Sequence, residues 1–247
     1  MKTHTVLITG ANGGIGTELC RTFKNSGWRV IGSDITAPRT SISDEFIPLD
    51  LDKYCQNESY RVEIDSRLRE KCIDENLNAI INNAAIQIVS PIEKLHPDDW
   101  HQTFNINVVA PFLLVQNLLP ELEKTNGCVI NISSIHAKLT KPGFCAYATS
   151  KAALIGLTQS MAVELGNRIR VNAICPAAIS TPMLEAGFKG NQKARESLLA
   201  HHPSQSIGSP QEVSEAALFL ANATGQFLNG SVIDIDGGIG FRLHDPA

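Results

Sequence analysis

The sequence predicts an α/β fold: a doubly wound, seven-stranded parallel sheet with helices on both faces. Short runs rich in Val and Ile alternate with helix-like runs from end to end, as strands covered on both sides by crossover helices require. A glycine-rich turn stands where the first strand gives way to the first helix. The material for a core is present, since 43% of the 247 residues are hydrophobic and 19% charged. With 18 Gly and 12 Pro, disordered, collagenous and low-complexity chains are excluded. No repeat, charge block or linker interrupts the chain, so one domain over residues 1–247 is expected.

The first strand is Thr5–Thr9. Ile15, Leu19 and Phe23 then recur every four residues as one apolar stripe, and Gly27 follows as a left-handed cap. Arg29–Ser33 is the second strand and Glu45–Leu49 the third. Pro48 cannot donate to a ladder, which assigns the third strand to a sheet edge and fits the doubly wound order 3-2-1-4-5-6. Ala79–Asn82, Cys128–Ser133, Arg170–Cys175 and Val232–Ile235 complete the sheet. From Leu184 to Ser206 periodicity is lost, so a long loop is expected there.

A formal charge of −4 gives no electrostatic reason to expect nucleic acid. The longest weakly polar run, Ile106–Pro120, is broken by Asn107, Pro111, Gln116 and Asn117 and falls short of the ~20 apolar residues of a membrane span. It reads as a buried helix, with no membrane partner. Only Val6, Leu7 and Ile8 precede Thr9, too few for a signal-peptide core, so a cytoplasmic protein is expected. Cys20, Cys55, Cys72, Cys128, Cys145 and Cys175 form no C-x-x-C pair and read as reduced thiols. His201 and His202 are adjacent, a poor chelating arrangement; they read as solvated residues, and no metal is expected.

Thr9-Gly10-Ala11-Asn12-Gly13-Gly14-Ile15-Gly16 joins the first strand to the first helix. Glycines there let the backbone turn tightly and approach a pyrophosphate, and a helix start offers unpaired N–H groups and a positive dipole end. This is a Rossmann-type loop. Asp34 closes the second strand eighteen residues past Gly16. Its carboxylate can accept both hydroxyls of an adenosine ribose and would repel a 2′-phosphate, which favours NAD over NADP. Neither Gly13 nor Ile35 brings a positive charge, and Arg39 is the basic residue within reach.

Tyr147 and Lys151 are four apart on a helix and address the same ligand. A free phenol titrates near ~10; a neighbouring ammonium and an oxidised nicotinamide both favour the phenolate and make it a usable acid/base. The chain at this point resembles the short-chain dehydrogenase/reductase family over essentially its whole length. The resemblance rests on the 9–16 loop, Asn82-Asn83-Ala84-Ala85, Asn107, Ser134, Tyr147-x-x-x-Lys151, Pro176 with Thr181, and Asp236-Gly237-Gly238.

The resemblance implies that Tyr147 is the acid/base and that Ser134, with Ser133 as the rival hydroxyl, bonds the substrate oxygen. It implies that Lys151 also holds the nicotinamide ribose. Asn107, with Asn105 as the alternative, holds a water at the end of a proton relay through its main-chain carbonyl. Pro111, four residues on, has no N–H for that carbonyl and is expected to help open the helix. For the cofactor, the resemblance implies Asp50 and Leu51, the Asn83–Ala85 turn, Pro176, Ala177 and Ile179, with Thr181 on the carboxamide. Ala85 and Ala177 replace the family's usual glycines; if either position needs a left-handed backbone, the loop after Pro176 would be displaced.

The 184–206 stretch corresponds to the family's substrate lid, and Gln87, His136, Phe144, Met183, Leu184 and Phe188 are the candidate substrate contacts. The reading is an NAD-dependent oxidoreductase interconverting a secondary alcohol and a ketone. The alternatives are an NADPH-dependent 3-oxoacyl-acyl-carrier-protein-type ketoreductase and a non-catalytic NAD-sensing protein. Relatives are commonly tetramers or dimers, implying packing through helices at about 101–124 and 146–165.

Overall fold

The computed structural model describes residues 4–38, 40, 42–72, 77–188 and 190–243. Arg39 and the side chain of Met183 fall outside them. Seven strands form one parallel sheet: β1 (Thr5–Thr9), β2 (Arg29–Asp34), β3 (Glu45–Pro48), β4 (Leu77–Asn82), β5 (Cys128–Ile132), β6 (Arg170–Pro176) and β7 (Val232–Ile235). Their order is β3-β2-β1-β4-β5-β6-β7. β3 is an edge strand, as Pro48 demands, with Pro48 opposite Asp34. The strand order changes direction between β1 and β4, where the C-terminal strand ends open a crevice.

Alternation along each strand divides the core into two layers. On one face Leu7, Ile31, Ile80 and Val129 meet Ile64 and Leu68 of α3 (Glu58–Cys72) and Leu114 and Leu118 of α5 (Ala110–Glu123). On the other, Val6, Ile8, Val30 and Ile130 meet Leu19 and Phe23 of α1 (Gly14–Asn25) and Val213 and Leu220 of α9 (Pro210–Asn222). Each such side chain contributes roughly 1.5–3 kcal/mol by burial. Gly27 after α1 takes a left-handed φ of 80°.

The helix expected over Ile106–Pro120 is longer than the sequence indicates. α4 (Pro97–Phe104), a π-helical turn (Asn105–Val109) and α5 run together as one helix of 27 residues, Pro97–Glu123. By length and composition alone that helix would reach across a bilayer, but Leu114, Leu118 and Leu122 are buried against the sheet. The 184–206 stretch also differs from the expected loop. It holds α7 (Pro182–Phe188) and α8 (Gln192–His201), the latter capped by the Asn191 side chain on the Ala194 N–H. Their weak apolar stripes hid them. All six cysteines are free thiols.

Candidate active site

The Gly10–Gly16 loop is built for close approach. Gly10 has a left-handed φ of +66°, and a Cβ there would lie 2.8 Å from the Ala84 backbone. A Cβ on Gly16 would collide with the Gly10 carbonyl oxygen. Gly13 precedes α1 and offers no side-chain cap to it, which leaves N–H groups at that end free for an anion. The first helical turn, with Ile15 half-buried against the core, is therefore a cradle that fits a pyrophosphate.

Asp34 faces this loop. One of its carboxylate oxygens accepts the Asn12 N–H at 3.0 Å and the other accepts the Ile35 N–H at 2.8 Å, while the Ile35 side chain is exposed. Asn12 donates its amide to the Thr36 carbonyl. Thr9 opens the loop motif but has no role in it by sequence reading; here its hydroxyl accepts the N–H groups of Asn83 and Ala84, both at 3.1 Å. Asn83 returns its amide to the carbonyls of Thr9 and Gly10. The loops after β1 and β4 are thereby one unit.

Neither alanine substitution distorts the backbone. Among the described residues only Asn126 and Gln205 are non-glycines with positive φ, so Ala85 and Ala177 are relaxed, and Ala177 donates its N–H to Ile235 at 2.9 Å. The displacement considered for the loop after Pro176 has no backbone cause. Beyond Pro176, Ile179 is buried and bridges to Gly208. The Thr181 hydroxyl accepts the Leu184 N–H, and its methyl lies over Gly14. Asp50 caps α2 (Leu51–Gln56) through the N–H groups of Asp52 and Lys53, and the Leu51 side chain is in the core.

On α6 (Cys145–Leu165), Tyr147 and Lys151 share a face. The Lys151 Nζ is 5.7 Å from the Tyr147 ring centre and donates to the Ile132 carbonyl at 2.7 Å. Burial lowers the Lys151 pKa to about 8 and raises that of Tyr147, which a hydrogen bond with Ser134 opposes. Burial is the larger influence on this phenol, and Ser134 draws it back. Ser133 is used elsewhere, donating to the Lys151 carbonyl at 2.9 Å. Ser134 follows β5 and caps the turn at Ile135–Ala137 through the His136 N–H.

Asn107 is buried in the π turn. Its amide donates to the Ile86 carbonyl and the Ser150 hydroxyl, both at 3.0 Å, and its Oδ1 accepts the Ile86 N–H. Ser150 passes the connection on to the Tyr147 carbonyl at 2.7 Å. Asn105, the alternative relay residue, is turned instead toward Asp52, at 2.8 Å. The helix does open around Asn107, close to Pro111.

The family described as enoyl-(acyl carrier protein) reductase matches residues 10–240. A 3-oxoacyl-[acyl-carrier-protein] reductase of Thermotoga maritima is 36% identical over 240 residues, covering 94% of this chain and 96% of that protein. The chain belongs to the short-chain dehydrogenase/reductase family. Solved relatives include the ligand-free aldohexose dehydrogenase of Thermoplasma acidophilum, with a TM-score of 0.90 and 28% identity over 100% of this chain and 97% of that one. A 4-hydroxyisoleucine dehydrogenase complexed with NADH has a TM-score of 0.86 and 30% identity, over 96% and 98%. The family is one of oxidoreductases that act on CH–OH groups with nicotinamide cofactors.

In this family member a ring stack lies against Tyr147. His136 and Phe144 lie parallel with centres 4.4 Å apart, and both stand edge-on to Tyr147 at 5.8 and 6.3 Å. His136 Nδ1 meets the Thr140 hydroxyl at 3.0 Å. Burial, aided by Lys141, lowers the His136 pKa to about 4, so the ring is neutral at ordinary pH. Gln87, Leu184 and Phe188 are half-buried. His202 corrects the expectation of a solvated residue. It is 3% exposed, bonded through Nδ1 to the Leu198 carbonyl, and packs near the turn at Gly237. Asp236 builds that turn by accepting the N–H groups of Gly238 and Gly240.

Proposed function

We propose that the protein is an NAD-dependent oxidoreductase that interconverts a secondary alcohol and a ketone, with Tyr147 as the acid/base. The observation that carries the reading is the pairing of Tyr147 and Lys151 one turn apart on α6, the Lys151 Nζ 5.7 Å from the Tyr147 ring centre, in a fold that also holds a glycine cradle whose open helix end fits a dinucleotide. Gly10, Asn12, Gly13, Gly14, Ile15 and Gly16 would hold the phosphates, Asp34 and Ile35 the adenosine ribose, and Asp50 and Leu51 the base. Asn83 to Ala85, Pro176, Ala177, Ile179 and Thr181 would line the nicotinamide half together with Tyr147 and Lys151. When bound, the cofactor supplies the two-electron hydride chemistry.

The remaining work falls to the protein's own side chains. Tyr147 gives or takes the proton at the substrate oxygen, and Ser134 bonds the same oxygen, fixing it within reach of the phenol. Lys151 carries the positive charge that favours the phenolate at the moment of transfer. Asn107 presents its main-chain carbonyl to a water that receives the proton. His136 and Phe144 shape the pocket on the far side of Tyr147. Phe112 and Val163 are exposed on α5 and α6, which supports a dimer or tetramer packed through these helices.

The likeness to a 3-oxoacyl-[acyl-carrier-protein] reductase favours a second reading, reduction of an acyl-carrier-linked ketone. Asp34 speaks against the NADPH this reading carries, because its carboxylate would meet a 2′-phosphate with like charge. Both readings are tested by incubating the protein with NAD or NADP and a panel of cyclopentanol, an aldohexose and a 3-hydroxyacyl thioester, and following absorbance of the reduced cofactor. NADH formation from a panel alcohol supports the proposal. Turnover confined to NADP and the thioester replaces it with the second reading.

A further inference from the structure

A π turn is disfavoured against the α-helix on either side of it and persists where outside contacts hold it. Here those contacts converge on its first residue. The Asn105 carbonyl accepts the Ala110 N–H, the five-residue bond that defines the turn, and also the Cys55 thiol at 3.3 Å. The Asn105 amide donates to Asp52 Oδ1 at 2.8 Å. Both outside partners belong to α2, the short helix that Asp50 caps. Burial, with Asp52 nearby, pushes the Cys55 thiol up to about 12, so it stays protonated and able to donate. Two residues on, Asn107 grips Ile86 and Ser150.

We propose that Cys55 and Asp52 act through Asn105 to hold open the π turn that presents Asn107, which makes them positioning residues for proton transfer. The proposal rests on the role given above to the Asn107 carbonyl. The geometry supplies its logic: the thiol and the Ala110 N–H occupy both lone pairs of one carbonyl. Pro111 at the same time denies Asn107 the N–H that an α-helical register would give its carbonyl. The turn is thus pinned from α2 at Asn105 and from α6 and the β4 loop at Asn107. The α2 side is also the one expected to meet the adenine, so the two ends of the cofactor groove share one mechanical link.

The test compares Cys55→Ala, which deletes the donor, with Cys55→Ser, which keeps one. Amide hydrogen exchange at Ala110 reads the turn directly, and kcat against pH with NAD and the panel alcohol that turns over reads its consequence. In Cys55→Ala, exchange at Ala110 should quicken roughly two- to tenfold, the worth of one net hydrogen bond. kcat should fall severalfold with KM unchanged and its pH profile should move, and Cys55→Ser should restore all three. Unchanged exchange in Cys55→Ala, or a serine variant as impaired as the alanine one, overturns the latch. A loosened turn with untouched kcat and pH profile overturns its positioning role. Asn107→Ala separates the two layers: full turnover there removes the relay reading itself, whatever the cysteine variants show.

Discussion

Lys151 and Tyr147 stand one turn apart on α6, the Lys151 Nζ 5.7 Å from the Tyr147 ring centre and hydrogen-bonded at 2.7 Å to the carbonyl of Ile132 at the end of β5. The ammonium is anchored to the sheet while the phenol is carried by the same helix, so β5 and α6 fix the relation between the two groups. The arrangement places a buried charge in the middle of the fold and has a cost.

That cost can be measured. Burial moves the Lys151 pKa from 10.5 to about 8, and at about 1.4 kcal/mol per pH unit the ammonium destabilises the native state by about 3 kcal/mol near pH 7. Between pH 8 and 10.5 the native state has lost this proton while the unfolded chain keeps it, so stability from this group rises with pH. Lys151→Met should therefore raise Tm by about 6–12 °C at pH 7, at about 2–4 °C per kcal/mol for a chain of this size, an advantage that shrinks toward pH 10.5, while abolishing turnover. Thermal melts across that range check the prediction; a lower Tm at pH 7 would show that the bond to Ile132 outweighs desolvation.

Tyr147→Phe removes the acid/base and leaves the cradle alone. Turnover should drop by about 10²–10⁴-fold, with the Kd for NADH unchanged within about twofold. Fluorescence titration and the absorbance assay read the two separately. Retained turnover would remove the proposed chemistry.

Asp34→Ala removes the carboxylate that lies against Asn12. Hydrogen bonds to a charged acceptor contribute about 1.5–3 kcal/mol, so NAD should bind about 10- to 100-fold more weakly while NADP affinity holds or improves. Calorimetric titration with both dinucleotides decides it. Tighter NADPH than NADH binding by the unaltered protein would contradict the assignment to NAD.

Gly16→Ala places a Cβ against the Gly10 carbonyl oxygen, which is backbone and cannot swing aside. Dinucleotide affinity should fall at least about tenfold, and the thermal shift that NADH confers should be lost. A Gly27→Ala variant is a useful contrast. Its Cβ meets nothing within 4 Å but its φ of +80° is strained, so stability falls by about 1 kcal/mol while binding is kept.

Pro111→Ala restores an N–H to which the Asn107 carbonyl can bond in an α-helical register. The prediction is a more stable helix and a severalfold lower kcat with a displaced pH profile. Full turnover with an unchanged profile would make the proline structural only.

The strand order and the edge position of β3 were legible because local chemistry specifies them: Pro48 lacks a ladder donor, and alternating Val and Ile runs require cover on both faces. The glycine loop was legible for the same reason, since Gly10 and Gly16 answer to backbone sterics a few residues away. α7 and α8 were not, because their apolar stripes are weak and their capping signal is a single Asn191. His202 looked like a solvated residue because nothing in its neighbours along the chain announces that the turn at Asp236–Gly238 folds over it.

The sequence by itself determined the fold class, the cradle and the Tyr147–Lys151 pairing, each set by spacings of four residues or fewer within one element or by a single turn. Only the tertiary structure decided that the Lys151 ammonium is given to Ile132, that the Ser133 hydroxyl is taken by the Lys151 carbonyl, and that Asn105 faces α2 while Asn107 faces α6. Those choices join residues tens of positions apart, and burial, which sets the energy of each charge, depends on every layer packed around it.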